Sequence, residues 1–354
     1  MTGLGKLRQD LLWKYYYRYR PLCEHDSEGG YSLLQKAMMF ANFTKVNLFG
    51  EYWTEARLQE IVDSNPNTIS KIIYDKLNGE APCMIARYGA NEQRIVANYL
   101  AITSSKRNLM HVITGKSSYW WWNKMLRKEL NFNAGFFPNE ASYVEKYSKL
   151  MLDDTRMLDV LLTWFGWEPL ILGSNHSISL VSLYEAEPWW QASPWTKCLS
   201  GKKVLVIHPF AELIESQYER RSYLFENKDV LPEFDLKTIK AVQSISGKSD
   251  DFNDWFEALD WMKRRMDETD YDIALIGCGA YGFCLAAHAK RRGKKAFHMG
   301  GVLQLLFGIK GKRWEQKDYH PKYDYTSLFN EYWVKPDASL KPKKADDVEN
   351  GCYW

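Results

Sequence analysis

Cysteine is scarce. Six occur in 354 residues, and none forms a Cys-x-x-Cys pair. The spacing excludes a zinc ribbon or a disulfide framework, and the thiols read as reduced groups of a cytosolic protein. Long apolar runs are missing, so no segment reads as a membrane span, and no signal peptide is visible. Neither sign of charge dominates: 47 Lys and Arg against 44 Asp and Glu leave a net charge of +3. That balance argues against nucleic acid as a partner. Gly115-Lys116-Ser117-Ser118 has no upstream P-loop glycine, which removes the P-loop reading.

Aromatic residues are plentiful. They make up 15% of the chain, with 15 Trp, a level that suits sugar-binding clefts as well as cores. The clearest local pattern runs from Asp272 to Trp314. Ile273 to Ile276 is an apolar run expected as a buried strand. Gly277, Cys278, Gly279, Ala280, Tyr281 and Gly282 follow, then a helix from Phe283 to Lys290, closed by basic residues and Gly293. A second strand, Lys295 to Met299, leads into Gly300-Gly301. Such a turn lets backbone approach an anion, and the helix N-terminus adds N–H groups and partial positive charge. The Gly-x-Gly-x-x-Gly spacing is that of the dinucleotide fingerprint, which also needs an acid at the end of the second strand. His298-Met299-Gly300-Gly301 stands there instead. A phosphate-bearing ligand therefore fits better than a nicotinamide cofactor. Lys310, Lys312 and Arg313 extend the anion reading.

Other strand tips are polar. Ala81 to Ala86 reads as a core strand ending in Arg87-Tyr88-Gly89-Ala90-Asn91-Glu92, before a helix through Leu100. Arg87 is placed to pair with phosphate, and Glu92 to act as a base, a metal ligand or a hydroxyl acceptor. Lys202 to Ile207 is a buried strand tipped by His208, a candidate base or phosphate contact. Asp235 to Val242 ends at Gln243. Trp255, Leu259, Met262 and Met266 recur at helical spacing. Strand–helix alternation from Lys202 to Met299 implies a parallel sheet with crossover helices.

Elsewhere the pattern predicts a strand at His111–Thr114, a largely helical stretch from Phe136 to Trp164, and a short strand at Glu168–Leu172. Trp120, Trp121 and Trp122 read as core and cleft rim. A lobe junction falls in the aromatic loop at 188–200. Residues 1–80 form a helical, aromatic N-terminal extension, with helices at Tyr31–Phe43, Thr54–Asp63 and Thr68–Leu77. Its basic, ring-rich start either packs on the body or makes peripheral contact with the inner face of the plasma membrane. Residues 81–315 form the main domain, and 316–354 a C-terminal tail, charged at Lys341–Lys344.

Arg87-Tyr88-Gly89-x-x-Glu92, joined to the late strand, glycine turn, helix and strand ending in His298-Met299-Gly300-Gly301, resembles the motif order of the GT-D class of bacterial glycosyltransferases. The segments Gly201–Phe210 and Gly300–Trp314 resemble proteins of bacterial surface-polysaccharide gene clusters. The resemblance covers Ala81 to Trp314. It implies an α/β fold: a Rossmann-like, mostly parallel sheet flanked by helices. It implies that the chain binds a nucleoside-diphosphate sugar, a UDP-sugar first among them. The sugar would pass to a saccharide or lipid-linked acceptor in capsule or O-antigen polysaccharide biosynthesis. In that class an Asp-x-Glu pair helps hold divalent Mn or Mg. Here Ala90 stands at the Asp place and Glu92 remains, so the cationic groups become the carriers of diphosphate charge.

Under this reading Glu92 is the first candidate base and His208 the second. The nucleotide-sugar contacts are Arg87, Gly89, Gly277, Gly279, Ala280, Gly282, His298, Gly300, Lys310, Lys312 and Arg313. Gln243, Gln304 and Tyr281 supply hydroxyl partners and a ring. Two other readings stay open. An NAD(P)-linked oxidoreductase rests on the three glycines. A non-catalytic scaffold of a polysaccharide assembly complex rests on the Ala90 departure.

Overall fold

Seven short runs become strands; the five inner ones are covered on both faces, and the two edge strands are partly exposed. The computed structural model describes residues 63–113, 116–164, 166–173, 177–244, 247, 249–337 and 353, with 32, 34–39 and 41 near the front. Of the helix expected at Tyr31–Phe43, residues 34–39 and 41 are described and are helical; the basic start of the chain, the helix expected from Thr54 up to residue 62, and the charged stretch at Lys341–Lys344 lie outside the described residues. The strands are β1 (Cys83–Ala86), β2 (Val160–Thr163), β3 (Ser179–Ser182), β4 (Lys203–His208), β5 (Asp235–Lys240), β6 (Ile273–Ile276) and β7 (Lys295–His298). They form one sheet in the order β3-β2-β1-β7-β6-β4-β5. Every pairing is parallel. Side chains alternate between two cores: Met84 and Ala86 join one, Cys83 and Ile85 the other. Burial on both faces is what a parallel sheet requires, and it explains why most strands read as continuous apolar runs.

The longer helices among the described residues are α1 (Pro66–Asn78), α2 (Ala90–Thr103), α3 (Lys124–Ala134), α4 (Ala141–Thr155), α5 (Ala211–Tyr218), α6 (Trp255–Asp267) and α7 (Gly282–Arg291). α2, α4, α6 and α7 bury their apolar stripes in the first core; α1, α5 and the short helix Leu303–Leu306 bury theirs in the second. α1 begins where Asn65 accepts hydrogen bonds from the amides of Asn67 and Thr68, with Pro66 in its first turn. Ile69, Ile73 and Leu77 then fall on one face and are fully buried against the sheet.

The topology places a crevice. β4 runs into α5 on one face of the sheet, whereas its neighbour β6 runs into α7 on the other. β7, next to β6, feeds the Leu303–Leu306 helix on the α5 side. Adjacent strands whose connections leave in opposite directions open a ligand crevice at their carboxyl ends.

Three expectations are corrected. The predicted strand at His111–Thr114 is a helical turn, Leu109–Ile113, because the Asn108 side chain accepts from the His111 amide at 3.2 Å and starts a helix. The stretch from Phe136 to Trp164 is not helical throughout: α4 stops at Thr155, and Val160–Thr163 enters the sheet beside β1. Glu168–Leu172 is a helix with Pro169 in its first turn, and the edge position belongs to Ser179–Ser182. The 188–200 segment is a chain of short 3-10 turns. Its Trp195 packs against Phe297 of β7 with ring centroids 4.9 Å apart, so one core spans both sides of it.

Candidate functional site

The tip of every strand reaches one cleft of about 270 Å³ along the carboxyl edge of the sheet. Arg87, Gly89 and Glu92 come from β1 and the start of α2; Trp164 follows β2; Tyr184 and Glu187 follow β3. His208 and Phe210 come from β4, Gln243 and Ser244 from β5, and Gly277 and Gly279 from β6. His298 and Gly300 end β7, and Gln304 and Arg313 follow. Arg87, His208 and Gly279, far apart in the chain, share this hollow.

Arg87 is, with Arg313, one of two arginines that line it. Its guanidinium lies 4.5 Å from the centroid of Trp164, and its Nε donates to the Tyr88 carbonyl. A Cβ on Gly300, where φ is +73°, would stand 3.3 Å from Nη1. Glycine thus serves Gly300 twice, for the left-handed turn and for the close approach. No carboxylate pairs with Arg87 among the described residues. A half-buried guanidinium with no counter-charge is poised for an anionic ligand.

Two buried histidines flank Gly277. The Phe210 amide donates to Nδ1 of His208 at 3.0 Å, so in the neutral ring the proton sits on Nε2. Nδ1 of His298 lies 3.1 Å from the Ile276 carbonyl, which can only accept. His298 therefore carries its proton on Nδ1 and leaves Nε2 with a lone pair. Burial pushes both rings down to about 3, with the nearby Arg87 charge adding to the effect at His298. Both are neutral near pH 7. His208 offers an N–H, where the sequence suggested a base; His298 offers an acceptor.

The three glycines of the turn have distinct reasons. A Cβ on Gly277 would stand 2.7 Å from the Gly300 carbonyl and 2.9 Å from Cδ2 of His208. Gly279 has φ +56°, which favours glycine. A Cβ on Gly282 would collide with the His298 ring. The third glycine thus makes room for a side chain of the next strand, and the residue where the dinucleotide fingerprint needs an acid is that same histidine. This removes the main support for a nicotinamide cofactor.

Other predicted residues take structural places. Tyr281 is buried, stacked on Trp255 at 5.0 Å and bonded to Ser244 Oγ at 2.8 Å, so its ring is not free to stack on a sugar. Ala280 and Gly282 are buried and do not line the cleft. Lys310 also lies outside the lining, its ammonium 5.4 Å from the Phe329 ring centroid, and Lys312 does not line it either. Arg313 does, with its guanidinium 4.7 Å from the Tyr353 ring. Gln304 donates through Nε2 to the carbonyls of Ile309, Lys310 and Tyr353, while its buried Oε1 has no partner among the described residues. Gln243 lines the cleft, half-buried. Trp120, Trp121 and Trp122 are half-buried but do not line it, so they form no rim.

Glu92 turns back over its own N-cap: a Cβ on Gly89 would run into its carboxylate. That is where an acid compensates the first turn of a helix with no side-chain cap. Ala90 supplies no ligand, and no group of three His, Cys, Asp or Glu that could hold a metal ion occurs among the described residues. The side chains present do not fit the divalent site that the resemblance implies.

One acid was missed. Glu187, after β3, is 5% exposed yet lines the cleft. Its Oε2 accepts from the Tyr325 hydroxyl at 2.7 Å and from the Trp190 indole at 3.0 Å. Burial lifts its carboxyl up to about 8 in spite of those donors, and the Glu185 charge pushes the same way. The acid-x-acid pair Glu185-Ala186-Glu187, set before an aromatic run, was the signal available.

No protein-family model and no curated protein matches the chain. A solved structure described as a domain of unknown function 1792 matches at 13% identity and a TM-score of 0.34, over 79% of this chain and 97% of that one. A likeness of that depth carries no argument about chemistry. Among the described residues, no helix is long and apolar enough to cross a membrane.

Proposed function

We propose that the protein is a glycosyltransferase. It binds a nucleoside-diphosphate sugar along the carboxyl edge of its sheet and passes the sugar to a hydroxyl of a saccharide or lipid-linked acceptor. The observation that carries this reading is Arg87, a guanidinium without a carboxylate partner among the described residues, held beside the glycine turns of β6 and β7. As the bond between the anomeric carbon and the diphosphate oxygen breaks, the electron pair leaves with the diphosphate. Arg87 and the Nε2–H of His208 oppose that charge. The lone pair of His298 Nε2, Oε1 of Gln304 and the Gln243 amide are the partners for sugar or ribose hydroxyls. Aromatic rings of Tyr184, Tyr319 and Tyr353 line the cleft and supply faces on which a sugar stacks. The residues present support no step through a metal.

The test is calorimetric titration with UDP, GDP, CDP, ADP and dTDP. Binding of one of them, with the sugar released from the matching donor when acceptors are supplied, is the expected result. If none binds, with or without added Mn²⁺ or Mg²⁺, the reading fails.

A further inference from the structure

We infer that the end of the cleft below β3 is the acceptor subsite, and that Glu187 is the group that takes the proton from the acceptor hydroxyl. The inference rests on the glycosyltransferase reading and adds the site and the base to it. Strand order separates the two ends of the cleft. β1, β7, β6 and β4 lie side by side, and their tips carry Arg87, Gly300, Gly277 and His208, the groups that suit a diphosphate. β2 and β3 lie beyond β1, away from β6 and β4. Their tips deliver Trp164, Tyr184 and Glu187, and Tyr319 joins them from the chain after β7. An aromatic wall with one carboxyl group suits a sugar ring bearing the attacking hydroxyl.

Glu187 is built for proton transfer. Tyr325 and Trp190 hold Oε2 by two donated hydrogen bonds, which fixes the carboxyl plane. Neither of these bonds uses Oε1, and the Trp189 indole lies beside the same carboxyl. Its titratable surroundings are Glu185 on the same turn, Tyr184 beside it, and Tyr319 and Tyr325 from the later chain. Glu185 is engaged by Lys322 and Ser182, and each tyrosine is pushed to a higher pKa by burial, so none competes as a base near neutrality. In the step, Oε1 of the ionised carboxylate takes the hydroxyl proton. The acceptor oxygen bonds to the anomeric carbon, and the diphosphate leaves with the electron pair of the broken bond. A carboxyl group titrating near 8 takes a proton from an attacking hydroxyl better than an ordinary one titrating near 4.5. Glu92, its carboxylate lying over Gly89, is the competing candidate.

The experiment compares wild type, Glu187→Gln, Glu187→Asp and Glu92→Gln. Affinity for the nucleoside diphosphate that binds wild type is measured by calorimetry. Release of that diphosphate from a panel of its hexose donors is followed between pH 6 and pH 9.5, on the order of two units either side of the group, with methyl glycosides as acceptors. In wild type, release rises with pH and levels off above about 8, as the base ionises. Glu187→Gln keeps its nucleotide affinity, loses release by ~100-fold or more, and loses the rise with pH. Glu187→Asp keeps a reduced rate with the rise intact, and Glu92→Gln keeps the rise. The inference is overturned if Glu187→Gln stays within about threefold of wild type, if Glu92→Gln abolishes the rise, or if wild type binds the nucleotide and turns over no donor. Absence of nucleotide binding to wild type overturns the glycosyltransferase reading itself.

Discussion

His208 and His298 face the same cleft in opposite hydrogen-bonding states. One is held by a backbone N–H and so presents an N–H; the other is held by a backbone carbonyl and so presents a lone pair. Both are buried, and neither is protonated until about pH 3. The unfolded chain takes up these protons near pH 6.5. Folding stability is therefore complete above 6.5 and falls as pH drops towards 3. At pH 4.5 each ring accounts for about 2 to 3 kcal/mol of lost stability. His208→Asn, whose Oδ1 can still accept from the Phe210 amide, is expected to weaken the acid-induced fall in melting temperature between pH 7 and pH 4.5. An unchanged fall would show that His208 titrates alike in both states.

Arg87 should dominate affinity for the anion. Arg87→Ala removes charge-assisted hydrogen bonds worth about 1.5 to 3 kcal/mol, a ~10- to 100-fold rise in Kd for the nucleoside diphosphate. Arg87→Lys should recover only part, since an ammonium neither stacks on Trp164 as a plane nor binds two oxygens as a fork. Full recovery by lysine, read by calorimetry, would reduce Arg87 to a point charge.

The fold and the gathering of strand tips at one cleft were legible because a parallel sheet brings its carboxyl ends to one edge. Arg87, His208 and Gly277 could be placed together without knowing any contact between them. The part of the cleft below β2 and β3 was not legible. β2 is four residues long and follows α4 after a short turn, so the helical pattern runs over it. β3 carries two serines in four residues and lies at the sheet edge, where no continuous apolar run is needed. Glu187 owes its character to Tyr325, 138 residues away in the chain. The third glycine of the turn misled for a similar reason: its partner is the His298 ring across the sheet, not a ligand.

Gly282→Ala separates two opposed effects. Alanine in a helix is worth about 1 kcal/mol over glycine, which alone would stabilise α7. The new methyl meets the His298 ring, which cannot retreat without stretching its bond to the Ile276 carbonyl. Overpacking of this kind costs about 1 to 3 kcal/mol, and loss of that bond adds about 1 more. The collision wins. Thermal melts should show a lower Tm for the variant, together with weaker nucleotide binding. A higher Tm would mean that the ring turns aside freely.

Tyr281 offers a stability test that leaves the cleft chemistry alone. Ser244 Oγ donates to the Gly135 carbonyl at 2.6 Å, so the Tyr281 hydroxyl must be the donor in its own 2.8 Å bond to Ser244. Tyr281→Phe removes that donor, keeps the ring stacked on Trp255, and leaves the serine's bond to Gly135 intact. The expected loss is about 1 kcal/mol in denaturant unfolding, with nucleotide affinity unchanged. A fall in affinity at equal stability would place the hydroxyl in contact with ligand after all.

Diphosphate charge can be met by side chains or by an ion, and the cleft decides between them through its donors. Ala90 supplies no ligand, Glu92 lies over Gly89, and Glu187 titrates near 8 and so is mostly protonated at pH 7. A divalent ion would find few anionic oxygens except those of the ligand itself, whereas Arg87 and the N–H of His208 are already in place. Nucleotide affinity in EDTA and in Mn²⁺ should therefore agree within about threefold, less than the factor of ten that 1.4 kcal/mol represents. A drop of ten or more in EDTA, removed by Glu92→Gln, would show that the ligand carries an ion to Glu92 and that its carboxylate swings off Gly89 to meet it.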